Sequence, residues 1–204
     1  MAAAPLDDAV LRAAADVVAQ HGWHELTLER VATAAGVSRV TLYRRGVTKQ
    51  VLGEALAARA AQGWQAAIWP ALTGEGTAAE RLREALLLSC AAVEDQLPLL
   101  AGLGTTADPS RGLDALPTSG HTGAAAGTGD VYVAPFARLL RDGAADGSLA
   151  PQADPVACAT ALFTMAPRTY LHLRGTHQWA PARAVEVLTS MLLDGLLPRP
   201  PSQD

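Results

Sequence analysis

Cysteine is nearly absent from this 204-residue chain: Cys90 and Cys158 lie far apart inside apolar helical runs. That disfavours a disulfide scaffold and fits small buried hydrophobes in a reducing compartment. Aromatic residues make up only 4% of the chain and β-branched residues are few. Alanine and leucine dominate instead, so helix is favoured over strand. No apolar run reaches the roughly 20 residues that a membrane span requires. The first residues, MAAAPLDDAVLR, carry acids where a secretory signal carries cations. A cytoplasmic protein with no membrane partner is the expectation. The motifs of common enzyme chemistry are missing too, with no Gly-x-Ser-x-Gly elbow and no Gly-x-x-x-x-Gly-Lys phosphate loop. His121, His172 and His177 do not follow metal-ligand spacing, and neither cysteine is close to one of them in sequence. No enzyme activity, metal or cofactor is expected.

Lysine occurs once, at Lys49, against fifteen arginines. So strong a bias accompanies GC-rich coding, and arginine content alone says little about nucleic acid. Its placement says more. The formal net charge is −4, yet residues 1–60 carry +1 and residues 61–204 carry −5. From Ser38 to Lys49 there are four cations (Arg39, Arg44, Arg45, Lys49) and no acid. A positive face on an acidic chain suits phosphate contacts, which supply much of the affinity for DNA.

Local signals divide the same region into helices. Asp7 and Asp8 precede a helical pattern with Val10, Leu11, Ala14, Val17 and Val18 on one face, and Gly22 ends it. Thr27 is a natural N-cap for a helix over 28–35, Gly36 breaks it, and Ser38 caps a third. Val31, Ala32, Val37 and Leu42 are placed to form a small core beneath. A fourth helix is expected from Lys49 to about Ala71, stopped near Pro70. Residues 78–103 read as one further helix, kinked or ended by Pro98. Residues 104–130 are rich in glycine, with prolines at 109 and 117, and look least ordered. Helices over 131–146, 154–174 and 181–197 complete the chain, with no internal repeat and no strand signal.

In a helix-turn-helix unit the second helix enters the major groove, and its first residues lie nearest the base edges. That helix opens at Ser38 here. Arg39 can grip guanine in bidentate fashion and Val40 can meet a thymine methyl. Thr41, Tyr43 and Lys49 suit phosphate contacts, while Arg44 and Arg45 can serve either role. Charge runs usually mark solvated helix faces. Against that stand the spacing of Thr27, Ala32, Gly36, Ser38 and Tyr43 and the twelve acid-free residues.

The run Thr27-Leu-x-x-Val-Ala-x-Ala-Ala-Gly-Val-Ser-x-x-Thr-Leu-Tyr43, followed by Lys49, resembles the N-terminal domain of the TetR/AcrR family of bacterial transcriptional repressors. The likeness covers about residues 6–55 and is specific. Farther on it is one of layout, including the Gly-Ser-Leu…Asp run at 147–154 ahead of two apolar helices. It implies an all-α protein of about nine helices, with a three-helix DNA-binding domain at 1–48 and a larger helical effector-binding and dimerisation domain at 49–204. It also implies a homodimer on double-stranded operator DNA, released by a small-molecule effector. Position by position, Thr27, Thr41, Tyr43 and Lys49 match phosphate contacts, and Arg39, Val40, Arg44 and Arg45 match groove-facing positions. The chain departs from the family at Arg45-Gly46, where an aromatic pair is usual. Gly46 stands where a packing phenylalanine is expected, and Trp23 is a candidate to fill that space.

In the body, Trp64, Trp69, His121, Tyr132, Phe136, Phe163 and Tyr170 are the candidates to line an effector pocket, with Met165, His172 and Trp179 as further possibilities. Each by itself is more often plain core. Together they fit an apolar or aromatic effector. The last two helices are apolar enough to want a partner, and Leu162, Leu188, Met191 and Leu192 are the interface candidates. The alternative function is a helical small-molecule carrier without specific DNA binding.

Overall fold

A computed structural model describes residues 6–103 and 128–194, all of it helix, turn and loop, with no strand among the described residues. Nine α-helices are described: α1 (Asp8–His21), α2 (Leu28–Ala35), α3 (Arg39–Arg44), α4 (Lys49–Thr73), α5 (Ala78–Asp95), α6 (Leu97–Leu103), α7 (Thr128–Asp146), α8 (Pro155–Gly175) and α9 (Pro181–Asp194), with a short 3-10 turn at Trp23–Glu25. They fall into two compact units. One comprises Met1–Gly63 with Gln96–Pro117, and the other Trp64–Asp95 with Thr118–Asp204.

In the first unit, caps set the helix ends. The Asp7 carboxylate accepts from the Ala9 N–H at 3.0 Å and opens α1, and Gly22, at φ 82°, closes it. Such capping side chains satisfy N–H groups that have no partner within the helix. Val10, Ala14, Val17 and Val18 of α1 are buried against Leu26, Val31, Leu42, Val47, Leu52 and Leu56. Gly102 lets the α6 backbone come unusually close to α1: a β-carbon there would lie 2.1 Å from the Val18 carbonyl oxygen. Leu99 and Leu103 of α6 pack on the same core.

The second unit joins the remainder of α4 to α5, α7, α8 and α9. Its core holds Ile68, Leu82, Leu86, Cys90, Phe136, Leu139, Leu140, Leu149, Leu162, Tyr170 and Leu188. Burial pushes the Cys90 thiol up to about 12, so it is inert packing. The run after α7 caps α5 from a distance. Asp146 accepts from the Ala78 N–H at 2.9 Å and Ser148 from the Ala79 N–H at 3.1 Å. The carboxylate of Asp154 opens α8, accepting from Val156 and Ala157. Arg174 grips Glu94 with two nitrogens at 2.7 and 2.8 Å, Tyr170 donates to the same carboxylate at 2.8 Å, and Arg174 also donates to the Trp179 carbonyl.

Three expected boundaries move. Pro70 lies inside α4, which runs on to Thr73. A proline this near the helix end removes one backbone donor without ending the helix. The single helix expected over 78–103 is two, broken at Gln96. Pro98 sits in the first turn of α6, where its missing N–H forfeits no intrahelical bond. The α7 helix begins at Thr128 rather than 131 and accommodates Pro135. Most of the glycine-rich segment and residues 195–197 of the last expected helix lie outside the described residues.

Candidate nucleic-acid interface

Helices α2 and α3 owe their geometry to one device used twice. Thr27 Oγ1 accepts from the Arg30 N–H at 3.3 Å to open α2. At its end Gly36 adopts φ 66°, its N–H reaches Thr33 O at 3.2 Å, and the Val37 N–H reaches Ala32 O at 3.0 Å. This pair of bonds around a left-handed glycine closes a helix, and an apolar contact usually accompanies it. Val37 packs against the core beside Ala32. Ser38 then opens α3, accepting from the Thr41 N–H at 3.1 Å, with the two hydroxyls 2.8 Å apart. At the far end Gly46 adopts φ 68°, its N–H reaches Tyr43 O at 3.0 Å, and the Val47 N–H reaches Leu42 O at 3.0 Å.

That second closure corrects the expectation for Gly46. A β-carbon at Gly46 would meet nothing within 4 Å, so the position faces open space and Trp23 does not pack against it. The glycine is needed for its backbone, and Val47, buried with Leu42, supplies the apolar packing. Trp23 lies elsewhere, against Gly53 of α4, where an added β-carbon would be 2.8 Å from its ring.

With Leu42 fully buried beneath, the opposite face of α3 is open. Val40 is 65% exposed and Tyr43 55%, and Arg39 and Arg44 are exposed with them. Arg39 donates to the Tyr43 hydroxyl at 2.9 Å and lies 5.2 Å from the ring centre. The hydrogen bond to Tyr43 is the main reason its guanidinium is raised above its ordinary value. Arg45 points the other way, 3.9 Å from the Asp7 carboxylate. Lys49 donates to the His24 carbonyl at 3.3 Å and sits 5.0 Å above the Trp23 ring, which fixes its stem at the start of α4. The pairings of Arg39 with Tyr43 and Lys49 with Trp23 went unread in the sequence, although the first follows from i,i+4 spacing.

The body candidates separate. Trp64, Tyr132, Phe136 and Phe163 come together, with ring centres 5.0–6.1 Å apart. Trp69 does not join them. It is 63% exposed and faces outward from α4. Tyr170 is buried and committed to Glu94, a bond that reinforces the rise of its phenol pKa on burial. His121 lies outside the described residues. Among the interface candidates, Leu162 and Leu188 are buried inside their own chain, Leu192 is half-buried, and Met191 is 62% exposed. The apolar side chains that α8 and α9 leave exposed are Val156, Met165, Val187 and Met191. Leu162 and Leu188 therefore belong to the unit's core, because each helix is apolar on more than one face. Among the described residues no group of His, Cys, Asp or Glu is placed to hold a metal ion, and no single helix is long and apolar enough to cross a membrane.

The sequence model of the tetR family of bacterial regulatory proteins matches residues 10–56, the segment that builds α1 to α3 and opens α4. Curated protein sequences yield no match. Solved structures share the fold across nearly the whole chain. The transcriptional regulator FadR of Bacillus subtilis, in complex with stearoyl-CoA, is 16% identical at a TM-score of 0.71, covering 92% of this chain and 97% of its own. A TetR/AcrR-family regulator from Thermobifida fusca is 19% identical at 0.68, covering 91% and 95%. The ketosteroid transcriptional regulator of Mycobacterium tuberculosis is 16% identical at 0.62, covering 97% and 99%. The family match is confined to residues 10–56, where the sequence is that of a tetR-family DNA-binding segment, and the all-α fold shared with the solved structures agrees with it.

Proposed function

We propose that this chain is a ligand-responsive repressor that binds palindromic operator DNA as a homodimer and is released by a small apolar or aromatic effector. The observation that carries the proposal is the open face of α3. Arg39, Val40, Tyr43 and Arg44 project from a short helix capped at both ends, in a stretch without acidic residues. In this reading residues 1–48 are the DNA-binding domain and residues 49–204 the effector and dimerisation body. Arg39, Val40 and Arg44 read base edges. Thr27, Ser38, Thr41, Tyr43 and Lys49 hold the phosphates, with Arg45 at the edge of the contact. The protein acts in the cytoplasm by binding rather than catalysis.

Dimerisation draws support from α8 and α9, whose exposed Val156, Met165, Val187 and Met191 offer an apolar face to a second copy. Two headpieces can then address half-sites about 34 Å apart. The effector reading draws support from the four-ring cluster, and from the like-folded FadR, which is in complex with stearoyl-CoA. An effector changes DNA affinity only by binding the two states of the body unequally.

Gel-shift titration against the intergenic DNA beside the chain's own gene tests the proposal. A salt-sensitive shift at sub-micromolar dimer is expected, abolished by Arg39→Ala with Arg44→Ala. No shift, or one indifferent to those changes, would leave the chain a helical small-molecule carrier.

A further inference from the structure

We infer that the body binds an uncharged, flat, apolar molecule that presents one hydrogen-bond acceptor to the Tyr132 hydroxyl, beside the rings of Trp64, Phe136 and Phe163. This deepens the effector reading above and rests on it. Trp64 from α4, Tyr132 and Phe136 from α7 and Phe163 from α8 meet edge-on and face-on. Tyr132 and Phe163 lie at 23° to one another, and Trp64 and Phe163 at 72°. Such a set offers both faces and edges of rings to a further planar group.

The polar atoms of this cluster are treated unequally. The Trp64 indole N–H donates to Ser89 Oγ at 3.1 Å, and Ser89 donates onward to Ala85 O at 2.7 Å. The Tyr132 residue is only 5% exposed, yet its hydroxyl is buried without a hydrogen-bond partner among the described residues. Buried hydroxyls nearly always have one. Phenylalanine at 132 would fill the same place without the desolvation penalty of an unpaired O–H, so the hydroxyl is not there for packing.

The missing partner is an acceptor, because burial raises the phenol's pKa and keeps its proton in place to donate. It belongs to a neutral group such as a carbonyl. A carboxylate brought among these rings would lose its hydration.

Two probes that differ by one carbonyl test this on the full chain: fluorene and 9-fluorenone, titrated calorimetrically into the wild type and Tyr132→Phe. In the wild type 9-fluorenone should bind about two- to twelvefold tighter, the range of one hydrogen bond. Tyr132→Phe should bring the two probes level, keep the affinity for fluorene, and unfold no earlier than the wild type. Equal affinities in the wild type, a preference that survives Tyr132→Phe, or no binding of either probe would overturn the inference. The wild-type ratio serves even if the variant does not fold. No DNA enters the measurement, so a failed gel shift removes the regulator reading without touching this result.

Discussion

Replacing Gly46 with alanine isolates a purely backbone effect at the end of the DNA-reading helix. Gly46 has φ 68°, and a β-carbon built there meets nothing within 4 Å. Steric conflict with neighbours therefore contributes nothing, and the whole penalty comes from forcing an L-residue into the left-handed region. That penalty is roughly 1–2 kcal/mol. Alanine also narrows the unfolded ensemble, which returns about 0.4–1 kcal/mol. The net loss is about 1 kcal/mol, which for a chain of this length lowers Tm by roughly 2–4 °C. Thermal unfolding followed by circular dichroism at fixed protein concentration measures it. Gly147 has φ 75° and equally open surroundings, so Gly147→Ala should lose a similar amount. Gly46→Asn should fall closer to the wild type, since asparagine tolerates this conformation. If Gly46→Ala is as stable as the wild type, or Asn is as damaging as Ala, the backbone explanation is wrong and the position matters through packing after all.

Three further outcomes follow from the geometry. Gly102→Ala should be more damaging than Gly46→Ala, because its β-carbon would stand 2.1 Å from the backbone oxygen of Val18. A loss of about 1–3 kcal/mol by chemical denaturation is expected, and a neutral result would refute the close approach of α6 to α1. On a matched operator and its single-base variants, Arg39→Ala should remove roughly 1–3 kcal/mol of discrimination at one base pair. By contrast Lys49→Ala should weaken all sequences alike and reduce the salt slope by about 1. The Glu94 carboxyl is held below its ordinary range by its hydrogen bonds to Arg174, and Asp146 by its bond to Ser148. Their stabilisation is therefore present above the ordinary carboxylate pKa of about 4 and lost as pH falls through the depressed values. Glu94→Gln should flatten the acid side of a Tm-against-pH profile.

The headpiece was legible because its signals are local. Asp7, Thr27 and Ser38 each cap the helix that follows within three residues, and Gly36 closes α2 by backbone geometry alone. Gly46 looked like a missing aromatic only because the likeness drew attention to packing. The same Gly-Val pair that ends α2 also ends α3, at 46–47 as at 36–37. The break at Gln96 was hidden, since Glu94-Asp95-Gln96 contains no helix-breaking residue and proline is as much at home starting a helix as ending one. Facing was hidden too. In α8 and α9 leucines and methionines occur all round, so spacing cannot tell buried Leu188 from exposed Met191. Trp69 and Trp64 are five residues apart and chemically the same, yet only the tertiary fold turns one outward and the other onto Tyr132.

The first compact unit is discontinuous in the chain: residues after Gly63 leave it and α6 returns to it. During synthesis the core of α1 to α4 stays open until Leu99 and Leu103 have emerged, roughly 80 residues after Val18. The entropy of closing so long a loop grows only slowly with length, but the contact must wait for the intervening helix to be made. A nascent or truncated headpiece ending near residue 63 would thus carry the complete DNA-reading motif on an unfinished core. Shape fit for an operator and a durable fold come at different moments of the protein's synthesis.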